Sequence, residues 1–228
     1  MEEIWNGILR AVELIVTLNP EVMEITARSL FISFTAATLA AAIDIPLGGL
    51  IELREFRGKR ALVDLIQTLY GLPTVTVGLL VFLLLSRSGP FGSLELLYTP
   101  TGMVIGQMIL ISPILIGLTI SALRGVSPHI RDTAISLGAN ESQVIRTIIK
   151  EARFAVVAAV LIGFGRALSE VGVAMMIGGN IRDYTRVLTT SIALQTSMGN
   201  LETSMALGII LIGISMILNL SLSRFQGR

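Results

Sequence analysis

Residues 131–152 read RDTAISLGANESQVIRTIIKEA, and how this stretch folds decides how the rest of the chain is understood. Apolar residues Ile130, Ala134 and Leu137, then Val144, Ile145, Ile148, Ile149 and Ala152, recur at helical spacing on either side of Gly138-Ala139-Asn140. The pattern predicts two short amphipathic helices joined at a bend. It is the longest well-charged segment in an otherwise oily sequence, and it lies between apolar runs. A bent helix pair held in that way offers a rigid shape to a soluble partner, which suits docking better than catalysis.

The surrounding composition belongs to a membrane protein. Of 228 residues, 53% are hydrophobic and 14% charged, and the mean hydropathy is +0.79. A soluble domain carries about 25% charged residues, so lipid is the expected solvent. The net charge of +1 gives no reason to expect nucleic acid as a partner. With no cysteine, disulfides, thiolate metal sites and cysteine nucleophiles are excluded. The single histidine, His129 beside Pro128, cannot form a metal cluster and reads as a solvent-exposed structural residue. Neither a metal site nor a catalytic residue is predicted.

Five stretches, approximately 29–51, 65–85, 102–123, 154–177 and 205–222, are long and apolar enough to cross a hydrocarbon core. Positive charges separate by side. Arg54, Arg57, Lys59 and Arg60 follow the first stretch, Arg124, Arg131, Arg146, Lys150 and Arg153 follow the third, and Arg224 and Arg228 end the chain. The alternate side has Arg10, Arg28, Arg87, Arg182 and Arg186. Taking the richer side as cytoplasmic puts the N-terminus outside, the C-terminus inside, and residues 124–153 in the cytoplasm. Residues 4–18 read as an amphipathic helix lying along the membrane surface, with Trp5 suited to the interface.

Within the spans, Pro46, Pro73 and Pro113 each remove an intrahelical hydrogen bond. In lipid the freed carbonyl needs another partner or a wet cavity. A packing kink is the plain reading; the nearby hydroxyls Thr74, Thr76, Ser112 and Thr119, with Ser169 in the fourth span, keep a pathway or gate open as the alternative. Arg166 and Glu170, four residues apart in the fourth span, are expected to project from one helix face and pair. Such a pair either locks helix packing or takes part in gating or the substrate path. Asp44 is expected near the membrane interface. Residues after Ile177 return to polar composition and predict a larger external loop with a helix around 187–196. Its rim of Arg182, Asp183, Tyr184 and Arg186 is either a contact for an external partner or a solvated surface.

Asp132-Thr133-Ala134, three intervening residues, Gly138 and then Ile148 resemble the cytoplasmic EAA loop of ABC importer permeases. That pattern is Glu-Ala-Ala, three residues, Gly, nine residues, Ile. Asp132 and Thr133 stand where the family has Glu and Ala, and Glu151 where it often has proline. Residues 166–180, RALSEVGVAMMIGGN, are similar to the segment that follows this loop in molybdate, sulfate and tungstate permeases; with Lys150-Glu151-Ala152-Arg153-Phe154 and five spans, the tungstate type is the nearest match.

The resemblance implies an all-α membrane protein: one type I ABC importer transmembrane domain over residues 1–228, with about five transmembrane helices, an N-terminal interfacial helix and a cytoplasmic coupling-helix loop. It implies a homodimer in a prokaryotic inner membrane, two cytoplasmic ATPase subunits and an extracytoplasmic binding protein. Coupling to the ATPase is expected from Asp132, Thr133, Ala134, Gly138, Ala139 and Ile148. In that picture Asp132 opens a helix, where the dipole favours it, Ala134 permits close approach, and Gly138 permits the bend. The chain has no G-x-x-x-x-G-K-[ST] sequence, so ATP and Mg are expected on the partner ATPase and no cofactor on this chain. The cargo is expected to be an oxyanion, tungstate before molybdate or sulfate. A secondary transporter is disfavoured by the lack of an internal repeat, and an intramembrane enzyme by the lack of H-E-x-x-H or G-x-S-x-G.

Overall fold

Two proline-led helices form the frame. Helix α2 (Pro20–Leu53) follows α1 (Glu2–Val16), and Asn19 caps it by accepting the Val22 N–H at 3.2 Å, with Pro20 in the first helical position. Helix α5 (Pro100–Arg124) repeats the device: the Thr99 hydroxyl accepts from Gly102 N at 3.1 Å, ahead of Pro100. The computed structural model describes residues 2–226, and all regular elements among them are helical. α2 and α5 pack along a stripe of small residues on α2, including Ser33, Ala36, Ala37, Ala40, Ala41 and Gly48. Close approach by small side chains is the usual way to join helices in lipid, where apolar burial gives little driving force. Gly48 marks the tightest point, since a methyl there would meet Thr119 Cβ at 2.9 Å and the Ile116 carbonyl oxygen at 3.0 Å.

Two of the five expected spans are broken, which corrects the reading of 65–85 and 154–177 as continuous runs. Helices α3 (Lys59–Thr68) and α4 (Thr74–Leu85) meet at 100°. Leu72 is extended ahead of Pro73, as proline demands of its predecessor, and the Pro73 carbonyl then accepts the Thr76 and Val77 amides to start α4. Helices α8 (Arg153–Leu168) and α9 (Gly172–Gly178) meet at 60°. Together with α2, α5 and α11 (Leu201–Gln226), the bent pairs make up to five spans. The breaks lie side by side: Gly172 sits on Thr74 and Val75, and Gly78 on Val173 and Met176, so α4 and α9 run in parallel from a shared level. α8 packs against both α2 and α5 through Ala37, Ala40, Ile111, Leu115, Phe164 and Ala167.

Helix α1 lies against α11, with Asn6 bonded to Glu202 and Gly7 seated on Met205. Its other face exposes Trp5, Leu9, Val12 and Val16, an apolar surface suited to lipid. The segment expected as a polar external loop is folded back into the protein. Helix α10 (Leu188–Ser197) packs on α11 and α2, and Thr185, Thr189, Thr190 and Ser191 are buried. Those residues tolerate burial because their hydroxyls find backbone acceptors, Thr185 at Gly178 and Thr189 at Glu170, while Ser29 of α2 accepts the Leu188 N–H at 2.7 Å. Arg228 and the Arg224 side chain lie outside the described residues.

The α2–α5 seam generates a paired test. Gly48→Ala is expected to cost roughly 1–3 kcal/mol by overpacking. Gly49→Ala, whose added methyl meets only Leu123 Cδ1 at 3.9 Å, is expected to be neutral or stabilising, by up to about 1 kcal/mol, because Gly is a poor helix former. Thermal unfolding in detergent, run on both variants, reads the difference.

Candidate functional site

The stretch 131–152 folds as α6 (Pro128–Ser136) and α7 (Glu141–Glu151). Gly138 turns the chain between them in the left-handed conformation, φ +81°. Its N–H reaches the Ile135 carbonyl at 2.9 Å and the next amide, Ala139, reaches Ala134 at 3.0 Å, the Schellman pattern of a glycine-terminated helix. Asn140 then opens α7 with a reciprocal capping box, its side chain accepting from Gln143 N at 3.0 Å while Gln143 Oε1 accepts from Asn140 N at 2.8 Å. The bend is therefore specified on both sides by consecutive residues.

One face of this pair is anchored. Val144, Ile148 and Ala152 are buried with Leu123 of α5 and Val156 of α8, and Ile45 and Leu53 of α2 pack against the same cluster, as do Ala134 and Ala139. Displacing α6–α7 thus pulls on three membrane helices at once. Three expectations change here. Asp132 is not at a helix start, because Pro128 begins α6 four residues earlier; it is an exposed residue in mid-helix, where the dipole argument has no hold. Ala134 and Ala139 face α7 and the membrane helices, so they allow close approach inside the protein. Leu137, counted with the buried stripe, is 82% exposed, because the helix terminates there and Gly138 redirects the chain. Leu137 and the exposed Ile135 stand at the free side with Thr133 and His129, beside a groove of about 430 Å³ lined in part by Ile130, Ala134 and Thr147. Sequence periodicity missed Ile135, and the signal that could have found it is its place about 100° round a short helix from Ala134, off the Ile130–Ala134 stripe.

Arg166 and Glu170 do pair, Nη1 to Oε2 at 2.7 Å, but across the α8–α9 break and not on one continuous helix face. α8 ends at Leu168, and Glu170 lies in the connection. Its second oxygen accepts the Val173 N–H at 3.1 Å, and its carbonyl accepts the Thr189 hydroxyl at 2.7 Å. Gln107 of α5 donates to the Ala167 carbonyl at 3.2 Å, satisfying one of the acceptors that a helix end leaves free. Gln107 and Thr189 were invisible as site residues in sequence, since nothing local links positions 60 and 19 residues away. The Glu170 side chain is 2% exposed and that of Arg166 34%.

The candidate pathway residues divide. Pro73, Thr74, Thr76 and Ser169 come together at the paired breaks, Pro73, Thr76 and Ser169 exposed and Thr74 half-buried against Gly172. Ser112 does not join them. It lies on α5, its hydroxyl bonded to the Met108 carbonyl at 2.8 Å next to Pro113, and it faces Asp44. Asp44 itself is buried nine residues before the end of α2, roughly 14 Å along the helix. α2 runs on to Leu53, two residues past the expected end of the first span. On the polar rim, Arg182 and Arg186 both approach Glu21, at 3.2 and 3.8 Å, and Arg28 donates to the Arg186 carbonyl at 3.0 Å.

Comparison with known proteins adds four findings. The family model described as binding-protein-dependent transport system inner membrane component matches residues 44–228. A tungstate uptake system permease protein from Peptoclostridium acidaminophilum is 44% identical over 219 residues, 96% of each chain. A probable anion ABC transporter permease protein from Haloferax volcanii is 41% identical over 211 residues, covering 90% of this chain and 91% of that one. In fold, an amino acid ABC transporter crystallised with histidines superposes with a TM-score of 0.65 at 19% identity, over 92% of both chains.

The ion pair makes its own prediction. Arg166→Ala leaves a buried carboxylate with the Val173 amide alone and is expected to cost about 3 kcal/mol. Adding Glu170→Gln removes the stranded charge, and the double variant is expected to unfold at a higher temperature than Arg166→Ala by itself.

Proposed function

Because this chain belongs to the family of binding-protein-dependent transport system inner membrane components, we propose that it is the membrane-spanning permease subunit of an ATP-driven importer whose cargo is an oxyanion, tungstate in particular. The identity of 44% over 96% of a tungstate permease carries the substrate reading, and sulfate and molybdate permeases are more distant relatives. The chain is a transport subunit of a multi-pass inner membrane protein with the type I importer fold.

Two copies of the chain enclose the path in this reading, two ATPase subunits dock on the α6–α7 pair, and a binding protein delivers the anion at the opposite end. ATP and Mg are bound by the ATPase. The distribution of basic residues supports an external N-terminus and a cytoplasmic C-terminus, which sets α6–α7 in the cytoplasm. Asp132, Thr133, Ile135 and Leu137 offer the ATPase one charge, one hydroxyl and two uncovered apolar side chains. Ala134, Gly138, Ala139 and Ile148 act one step behind, shaping the bend and fastening it to α2, α5 and α8. Closure of the ATPases would then rock these helices as a unit. The paired breaks at Pro73–Thr74 and Ser169–Glu170 line the path, because irregular backbone at membrane depth is tolerated where it borders protein or water and not where it meets lipid.

Gly138→Pro tests the coupling directly. Proline holds φ near −65°, whereas Gly138 requires +81°, so the Schellman turn cannot form. The protein is expected to insert and assemble but to lose tungstate uptake in proteoliposomes while ATP hydrolysis continues; uptake at the normal rate would overturn the coupling role of the bend.

A further inference from the structure

Arg166 lies within the apolar zone. Its neighbour Ala167 is bonded to Gln107, seven residues from the start of the 25-residue helix α5, about 10 Å along the axis. A charged side chain facing lipid inside the hydrocarbon costs up to about 2.5–3.5 kcal/mol, the figure for the helix centre. Yet the Arg166 side chain is a third exposed. The open side of Arg166, next to the exposed Ser169, therefore faces water or a second copy of the chain, whereas the outward face of α2 exposes Phe31, Phe34, Leu39 and Ile43 and suits lipid.

We propose that Arg166 is the group that meets the oxyanion inside the membrane, with Glu170 as the buried counter-charge that keeps the contact transient. The inference rests on the oxyanion reading above. Among the described residues, the guanidinium uses Nη1 for Glu170, and Nε and Nη2 have no partner. A planar guanidinium with donors to spare fits two oxygens of a tetrahedral dianion. Glu170 does not depend on Arg166 alone, since Oε1 stays on the Val173 N–H when the guanidinium turns toward an anion. It also brings the net charge of the pair to zero, so the site draws an anion without retaining it, as a conduction site must. Of the other arginines on this side, Arg182 and Arg186 are committed to Glu21, Arg28 to Glu24 and the Arg186 carbonyl, and Arg10 to Glu13, while the exposed Arg87 lies in the turn beyond α4.

The test uses the assembled transporter, permease with ATPase and binding protein, in proteoliposomes with tungstate. Arg166→Lys keeps a charge that can pair with Glu170 but loses the fork, and tungstate moved per ATP hydrolysed is expected to fall about tenfold. In the permease–ATPase complex without binding protein, tungstate is expected to raise the unfolding temperature of Glu170→Gln more than that of the wild type, and to leave Arg166→Gln unmoved. Wild-type transport per ATP in Arg166→Lys would overturn the proposal. So would a loss of uptake, hydrolysis and unfolding temperature in the same proportion, which is the mark of a structural pair alone. If the wild type moves another solute and no tungstate, molybdate or sulfate, the oxyanion reading itself fails, and that result is told apart because it appears before any substitution.

Discussion

Inside a bilayer no water is available to a broken helix, and each amide and carbonyl freed at the break must be met by the protein itself. Glu170 meets that constraint at the α8–α9 connection. Its two carboxylate oxygens hold Arg166 on one side of the break and the Val173 amide on the other, and its carbonyl takes the Thr189 hydroxyl from α10. Gln107 closes the end of α8 from α5. Four elements are thereby tied to one connection, and the segment after α9, polar in composition, is drawn into the interior because its hydroxyls are used there. At the other break, Pro73 needs less help, since it has no N–H and its carbonyl starts α4.

The frame around these breaks is stiff where the function needs leverage. α2 and α5 approach along small residues, closely enough that a single methyl at Gly48 would collide with Thr119. Their far ends are clamped together by a two-point ion pair, Arg124 to both oxygens of Glu52 at 3.1 and 2.9 Å, with Lys59 of α3 donating to the Glu52 carbonyl at 2.7 Å. Into the same end the α6–α7 pair inserts Val144 and Ile148. In the proposed coupling, a soluble partner gripping the free side of α6–α7 would move α2, α5 and α8 together, and those helices border the broken spans. The α6–α7 pair and the broken α8–α9 span are thus joined by packed side chains of α2, α5 and α8.

Local chemistry made much of this legible. Gly138 followed by Ala139-Asn140 and Gln143 encodes a turn and a cap within neighbouring residues, so the bend could be read directly. Pro20 and Pro100 behind Asn19 and Thr99 are likewise local start signals, and apolar run length located the spans. Where local signals were silent the reading slipped. Hydropathy does not register a 100° break when the apolar run continues through it, as it does on either side of Pro73, and the i, i+4 spacing of Arg166 and Glu170 suggested a continuous helix although the pair bridges its end. Leu137 fitted the apolar stripe by count but stands outside it, because a stripe argument assumes that the helix continues.

Sequence alone determined the solvent, the all-helical class and the stretch that bends at Gly138, because each depends on composition or on residues within about one helical turn of each other. Tertiary structure decided which spans break, which side of the bent pair is free, that Asp44 is buried, and that Arg166 is paired yet still open on one side. Those outcomes depend on neighbours brought from far along the chain, such as Gln107 for Ala167 and Thr189 for Glu170. In a medium without water, the distant partner is what permits a polar group to stay where the sequence puts it.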